Sequence, residues 1–171
     1  MFRPIQTLRG TALALALFLS ASASEAGVIN YTFSGSVDFG ALLGESYLGT
    51  FSFDDAGLTG TGSESLPLLG LSFGFHSGSF DENSGSGTPT VDFLDGVFLG
   101  LSYDVTGFDP DFSLVSGSLD SSDAYFAYTP DNGTDPAGFG SLVYSPVPVP
   151  GTLALLAVGG LALRRARTGR A

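Results

Sequence analysis

Apolar and polar residues alternate with a period of two along most of the middle of the chain. In the longest run the apolar positions are Ile29, Tyr31, Phe33, Val37 and Phe39, and Gly35 keeps the register. The pattern recurs, or shorter strand candidates occur, over 47–53, 69–75, 90–94, 97–103, 112–119, 124–128 and 138–144. Clusters of Asp, Gly, Pro and Ser separate these segments, and no internal segment has the period of a capped helix. The sequence therefore predicts an all-β domain, an antiparallel β-sandwich or jelly roll of about eight strands.

The charged residues are sharply divided along the chain. All six basic residues are arginines near the two ends, at positions 3, 9, 164, 165, 167 and 170. Every acidic residue except Glu25 lies between Gly27 and Pro150, a stretch without Lys or Arg. A body without cations cannot clamp phosphates, so neither a nucleic acid nor a nucleotide is expected as a partner. The absence of Cys excludes disulfides, thiolate metal sites and a Cys nucleophile.

Residues 1–26 have the composition of a secretory signal peptide. Two arginines form a basic segment, residues 11–20 form a short apolar segment, and small residues follow. Cleavage between Ala26 and Gly27 places the small residues Ser24 and Ala26 at the third and first positions before the cut, as such sites require, and a cut after Ala23 is the alternative. We therefore expect export through the Sec translocon.

Residues 147–171 combine three features in order. These are a proline spacer up to Pro150, an apolar segment over 152–163, and a basic stop made of Arg164, Arg165 and Arg167. The segment is apolar on every face, which excludes an amphipathic helix packed on the body and predicts a short transmembrane helix. The positive-inside rule then keeps both arginine groups in the cytoplasm and exports the acidic domain over 27–146. A plain tail anchor is the alternative.

This combination of segments resembles the PEP-CTERM proteins. They are substrates of exosortase, a membrane-embedded Cys transpeptidase of Gram-negative bacteria that also make exopolysaccharide. Pro148 and Pro150 fall on the two prolines of the family motif, and Val149 replaces its usual Glu. Arg164-Arg165 falls on the basic end of the motif. The resemblance covers 147–167 and, for the body, only its general character.

The resemblance implies a non-enzymatic protein of the extracellular matrix. The chain would be anchored transiently in the inner membrane and processed near Pro150 by an exosortase-like transpeptidase. It would then be released or attached at the cell surface. Its other expected partner is extracellular polysaccharide, in an exopolysaccharide matrix or a biofilm.

Two acidic turn segments provide a second hypothesis. Oxygen ligands of the kind that Ca²⁺ prefers are offered by Asp131, Asn132, Asp135, Asp109 and Asp111. A Ca²⁺-dependent carbohydrate-binding module is therefore the alternative function, although the same residues are ordinary turn formers. No other cofactor is expected.

A carboxylate-dependent glycoside hydrolase is the third hypothesis, because paired acids hydrolyse glycosidic bonds. Its candidate acids are Asp54, Asp55, Asp109 and Asp111. Close acid pairs are unavoidable in so acidic a body, and no Trp is available as a sugar platform. The string Gly70–Gly74 matches the G-x-S-x-G pattern of a nucleophile elbow, but it lies within an alternating segment. No catalytic residue is assigned.

Overall fold

The computed structural model describes residues 27–148, which form nine β-strands and two short 3-10 helices. The strands are β1 Val28–Phe39, β2 Ser46–Asp54, β3 Ser63–Phe75, β4 Gly78–Asp81, β5 Thr90–Leu94, β6 Val97–Val105, β7 Asp111–Val115, β8 Tyr125–Thr129 and β9 Gly138–Pro146. The 3-10 helices are Asp55–Gly57 and Ser121–Asp123. Each follows an Asp, Asp54 or Asp120, whose carboxylate accepts a hydrogen bond from the second N–H beyond it. Side-chain capping therefore fixes both turns.

The strands close into an antiparallel barrel. β1, β2, β3, β5, β6, β7, β8 and β9 pair in that order, and β9 pairs back to β1. The short β4 adds to the C-terminal end of β3 as a hairpin. The all-β prediction is correct, but the sandwich or jelly roll is wrong. An alternating strand looks the same in both folds, and the β1–β9 pairing joins the two ends of the domain, which local alternation does not encode.

The barrel interior is filled by aromatic and aliphatic side chains. The large side chains that are fully buried include Phe33, Tyr47, Phe53, Phe73, Tyr103 and Phe126. An eight-stranded barrel is just wide enough for side chains to fill it, and the rings pack mainly in tilted and edge-to-face pairs. No polar or charged residue is buried in the part of the chain that the structure describes. The interior therefore serves as the hydrophobic core.

Two β-bulges turn apolar side chains outwards, against the sequence prediction. The alternating pattern assigns Phe39 and Leu69 to the buried face, but they are 56% and 57% exposed. The β1–β9 pairing shifts between Val37 and Phe39, and Phe39 stacks on Phe139 with 5.6 Å between the ring centroids. In the β2–β3 pairing, Ser52 pairs with Gly70 and Phe53 pairs with Leu68, so Leu69 between them has no partner on β2. A bulge inserts one residue and reverses the alternation beyond it, which a strict period of two cannot anticipate.

The predicted transmembrane helix forms no part of the described fold. Within residues 27–148, no helix is long and apolar enough to cross a membrane. The helix predicted over 152–163, the signal peptide predicted over 1–26 and the motif residues Val149 and Pro150 lie outside the described residues. The predicted fold class is therefore corrected to a closed barrel whose described helices are two single 3-10 turns.

Candidate functional site

Four neighbouring strands present an uncharged outer surface that is rich in hydroxyl groups. We call it the hydroxyl face, and it is formed by the outward side chains of β9, β1, β2 and the C-terminal half of β3. Its residues are Asn30, Thr32, Ser34, Ser36, Ser46, Leu48, Thr50, Ser52, Gly70, Ser72, Gly74, Ser141, Val143 and Ser145. Strand pairing aligns them in rows, so that Thr50 lies between Thr32 and Ser72. Acidic residues begin only at the margins of this surface.

A groove with a volume of about 440 Å³ lies in the hydroxyl face. It is lined by Asn30, Tyr31, Thr50, Phe51, Ser52, Gly70, Leu71, Ser72 and Val147. Ser52 pairs with Gly70 immediately beside the bulge at Leu69, and the missing side chain at Gly70 leaves space there. The Val147 N–H donates to the Asn30 carbonyl at 2.8 Å, which holds Val147 against β1. Three strands and the first residue beyond β9 therefore build the groove.

Two carboxylates border the groove on the side of β4. Asp81 pairs with Ser72, and its Oδ1 accepts hydrogen bonds from the Ser84 hydroxyl at 2.7 Å and the Asn83 N–H at 3.0 Å. These bonds lower the pKa of Asp81, which stays negative near neutral pH. Glu82 Oε2 accepts a hydrogen bond from the Leu71 N–H at 3.1 Å. The described residues that line the groove include no cation to offset these carboxylates.

The opposite side of the barrel uses its hydroxyls internally. Asp92 on β5 accepts hydrogen bonds from four hydroxyls, those of Ser102, Ser65, Ser116 and Thr90. Burial acts to raise the pKa of this half-buried carboxylate, but the four donors, led by Ser102, outweigh burial and lower the pKa. Asp92 therefore fastens β3, β5, β6 and the segment that follows β7 to one another.

Replacing Asp92 with Asn should lower the free energy of unfolding by about 1 kcal/mol at neutral pH, after allowance for the partial exposure of the carboxylate. Because the pKa of Asp92 is lower in the folded state, its contribution is present above the unfolded pKa and is lost as the pH falls through the folded pKa. Urea unfolding at neutral pH and at a series of acidic pH values measures this difference. Asp38→Asn, at an exposed position near the end of β1, is the control. An equal loss in both variants would contradict the role of Asp92.

The residues predicted to bind Ca²⁺ lie in two loops that meet at one end of the barrel and, for Asp111, at the first residue of β7. Asp109 Oδ1 accepts a hydrogen bond from the Asp131 N–H at 3.1 Å, which ties the β6–β7 loop to the β8–β9 loop. Asp111 accepts a bond from the Gly107 N–H at 2.7 Å. The side chain of Asn132 donates to Asp135 at 2.7 Å. Among residues 27–148, no group of three or more His, Cys, Asp or Glu residues is placed to hold a metal ion, and the Ca²⁺ site stays a prediction.

Salt should stabilise the barrel. Of the side chains between 27 and 148, His76 alone can carry a positive charge, and its Nδ1 lies 3.1 Å from the Glu45 carboxylate. Repulsion among the acids opposes the compact state, and the screening length falls from about 30 Å at 0.01 M salt to about 10 Å at 0.1 M. We expect the Tm, measured by circular dichroism, to rise with NaCl over this range. A constant Tm would contradict the prediction, and a larger rise with CaCl₂ at equal ionic strength would support the Ca²⁺ alternative.

The candidate acids of a glycoside hydrolase accept hydrogen bonds from the backbone. Asp54 accepts a bond from the Ala56 N–H, and Asp55 accepts one from the Gly27 N–H, each at 2.9 Å. The string Gly70–Gly74 lies within β3, so it does not form a strand-to-helix elbow. In the part of the chain that the structure describes, Asp54 and Asp55 therefore stabilise the backbone around a turn, and Gly70–Gly74 forms part of a strand.

The groove residues were not identified by sequence reasoning. Asn30, Thr50, Ser52 and Ser72 occupy the polar positions of alternating strands, where solvent-facing residues are expected. The available signal was the lack of charge at the polar positions of β1, β2 and β9, apart from Asp38 and Asp54 near the strand ends, in a body rich in Asp and Glu. Strand register then brings these positions side by side, which the sequence pattern does not reveal.

Comparison with known proteins finds no matching family model and no significant match to a curated protein or a solved structure. A functional conclusion therefore depends on the residues and the geometry described above.

Proposed function

We propose that this chain is a non-enzymatic, exported protein of the extracellular matrix of a Gram-negative bacterium, sorted through its C-terminal tail by an exosortase-like transpeptidase. The observation that carries the proposal is the separation of charge along the chain. The barrel contains only acidic charged residues apart from His76, and all six arginines lie in the predicted targeting segments. This division suits translocation of the barrel with the arginines kept on the cytoplasmic side.

The placement of side chains in the barrel supports a non-catalytic role. The interior is occupied by core residues, and the groove is lined by hydroxyl, amide and apolar groups. A Ser or Thr hydroxyl needs an adjacent base to act as a nucleophile. His76 lies in the turn after β3, where it contacts Glu45. Non-covalent contact with matrix polymers is the function that such a surface favours.

The position of the sorting motif supports processing after the barrel has folded. β9 ends at Pro146, and Pro148, the first proline of the motif, is exposed. Val147 is held against β1 by its hydrogen bond to Asn30. A transpeptidase would therefore meet the motif immediately outside a stable domain.

Mass spectrometry of the mature chain, purified from cells that encode an exosortase-like transpeptidase, tests the proposal. We expect an N-terminus at Gly27 and a C-terminus near Pro150, without Arg164, Arg165 and Arg167. Replacing Pro148 and Pro150 together with Ala should leave the arginines in place. Pro136→Ala, in the exposed loop before β9, is the matched control and should be processed normally. Exported protein that keeps an intact arginine-rich end would overturn the proposal.

A further inference from the structure

We infer that the groove in the hydroxyl face is a binding site for one strand of a neutral polysaccharide. The inference rests on the proposed function only in that export brings the barrel into contact with extracellular glycans. It names the ligand class and assigns the contact to one surface of the barrel.

The chemistry of the lining matches that of a sugar chain. The hydroxyls of Thr50, Ser52 and Ser72 and the amide of Asn30 can each donate and accept hydrogen bonds, as sugar hydroxyls do. Val147, which is 42% exposed, provides apolar contact for the C–H groups of a sugar ring. The volume of about 440 Å³ lies within the range of about 300–1,000 Å³ that is usual for small-ligand sites.

The hydrogen-bonding state of these hydroxyls sets the groove apart from the rest of the barrel. On the opposite side, the hydroxyls of Ser65, Ser102 and Ser116 all donate hydrogen bonds to the Asp92 carboxylate. Their O–H groups are therefore not free to donate to a ligand. The residues that line the groove include no carboxylate that could do the same. The groove hydroxyls therefore remain available to an external ligand.

Charge selects a neutral chain over an anionic one. Asp81 and Glu82 border the groove, and no Lys or Arg occurs in residues 27–148 to pair with a uronate or a sulfate. A polyanion would be repelled by the barrel as a whole. A second copy of this acidic barrel would be repelled for the same reason.

Two glycine substitutions on the same strand test the site. A Cβ added at Gly70 would lie 3.6 Å from Ser52 Oγ, and one added at Gly74 would lie 3.9 Å from the Leu48 carbonyl oxygen. Both are ordinary contacts for the Cβ, and a β-branched side chain on the outer face of a strand suits a sheet, so we expect Gly70→Val and Gly74→Val to fold. Gly70→Val fills the groove, whereas Gly74→Val adds the same side chain to the same face outside the groove. Thr50→Val removes one groove hydroxyl at nearly constant shape.

Affinity electrophoresis of the mature protein measures binding to dextran and laminarin, two neutral glucans of α- and β-linkage, and to alginate, a polyanion. We expect retardation by at least one neutral glucan and none by alginate. Gly70→Val should weaken binding at least tenfold, Thr50→Val about three- to tenfold, and Gly74→Val less than twofold. Circular dichroism confirms that each variant is folded.

Several results would overturn the inference. The first two are retardation by alginate alone and no retardation by either neutral glucan. The third is equal glucan binding by Gly70→Val and the unmodified protein. The fourth is a protein that forms no glycan complex but forms a dimer, if Gly70→Val abolishes that dimer. The proposed function fails separately, because the termini of the mature chain are determined in the same preparation. Correct termini without glucan binding reject only the inference, and glucan binding with an intact arginine-rich end rejects only the sorting proposal.

Discussion

Replacing Phe73 with Ala should lower the free energy of unfolding by about 3–5 kcal/mol, the cost of removing a large buried aromatic ring. Phe73 is 1% exposed and lies at the centre of the barrel, with its ring centroid 5.4 Å from that of Phe33 and 5.3 Å from that of Phe112. Neighbouring rings on several strands cannot all move into the vacated space. Because small domains have total stabilities of about 5–15 kcal/mol, this loss is a large share of the whole.

Phe39→Ala is the matched control for Phe73→Ala. The alternating pattern places both phenylalanines on the buried face, but the bulge in β1 leaves Phe39 56% exposed. We expect a loss of about 1 kcal/mol or less, because the change removes mainly a ring pair with Phe139 at the surface. Urea unfolding followed by near-ultraviolet circular dichroism gives both values from the shift in midpoint at constant m. Equal losses would show that the assignment of inward and outward positions is wrong.

The sequence pattern located most of the strands because each has one buried and one solvated face. The predicted segments over 90–94, 97–103, 124–128 and 138–144 overlap β5, β6, β8 and β9 closely. The short β4 was missed, since four residues are too few to show a period. The alternation also identified the aromatic core, apart from the residues displaced by bulges.

The first half of β3 shows why the closure of the barrel was not predicted. Its residues 63–67 include Ser63, Ser65 and Pro67, so they resemble a turn more than a strand. In the structure this half pairs with β5, and the other half pairs with β2. A strand that changes partner along its length joins the two parts of the barrel wall. Such a change depends on long-range pairing, which local alternation does not contain.

The candidate site was harder to predict from the sequence than the fold was. A groove made of Ser, Thr and Asn has no motif, because its chemistry comes from several weak hydrogen-bonding groups brought together by register. The Asp109 carboxylate, a predicted Ca²⁺ ligand, accepts a hydrogen bond from the Asp131 N–H and so joins two loops. Acidic and amide side chains in turns are selected first by backbone geometry, so composition alone does not separate structural from binding roles.

Two pairs of residues across β1 and β2 show how glycines make room for the aromatic core. Phe33 pairs with Gly49, and Gly35 pairs with Tyr47, so that each ring lies against a glycine of the neighbouring strand. The Tyr47 hydroxyl donates to the Ser141 carbonyl at 2.6 Å, which fixes this ring between β1 and β9. Burial raises the pKa of the Tyr47 hydroxyl, with smaller contributions from Asp38 and Tyr144, so it remains a donor at all moderate pH values.

Replacing Gly35 with Ala should therefore destabilise the barrel by about 3 kcal/mol or more, at or above the upper end of the usual range for overpacking. The new Cβ would overlap the Ser141 carbonyl oxygen and lie 2.5 Å from the Tyr47 ring. The carbonyl belongs to the backbone of β9 and the ring is held by its hydroxyl, so neither can move without opening the β1–β9 pairing that closes the barrel. In Gly74→Ala the nearest atom is 3.9 Å away, and the change should be neutral or stabilising by up to about 1 kcal/mol. Urea unfolding of the two variants compares an identical substitution at two strand glycines. A similar effect in both would contradict the role of Gly35 in barrel closure.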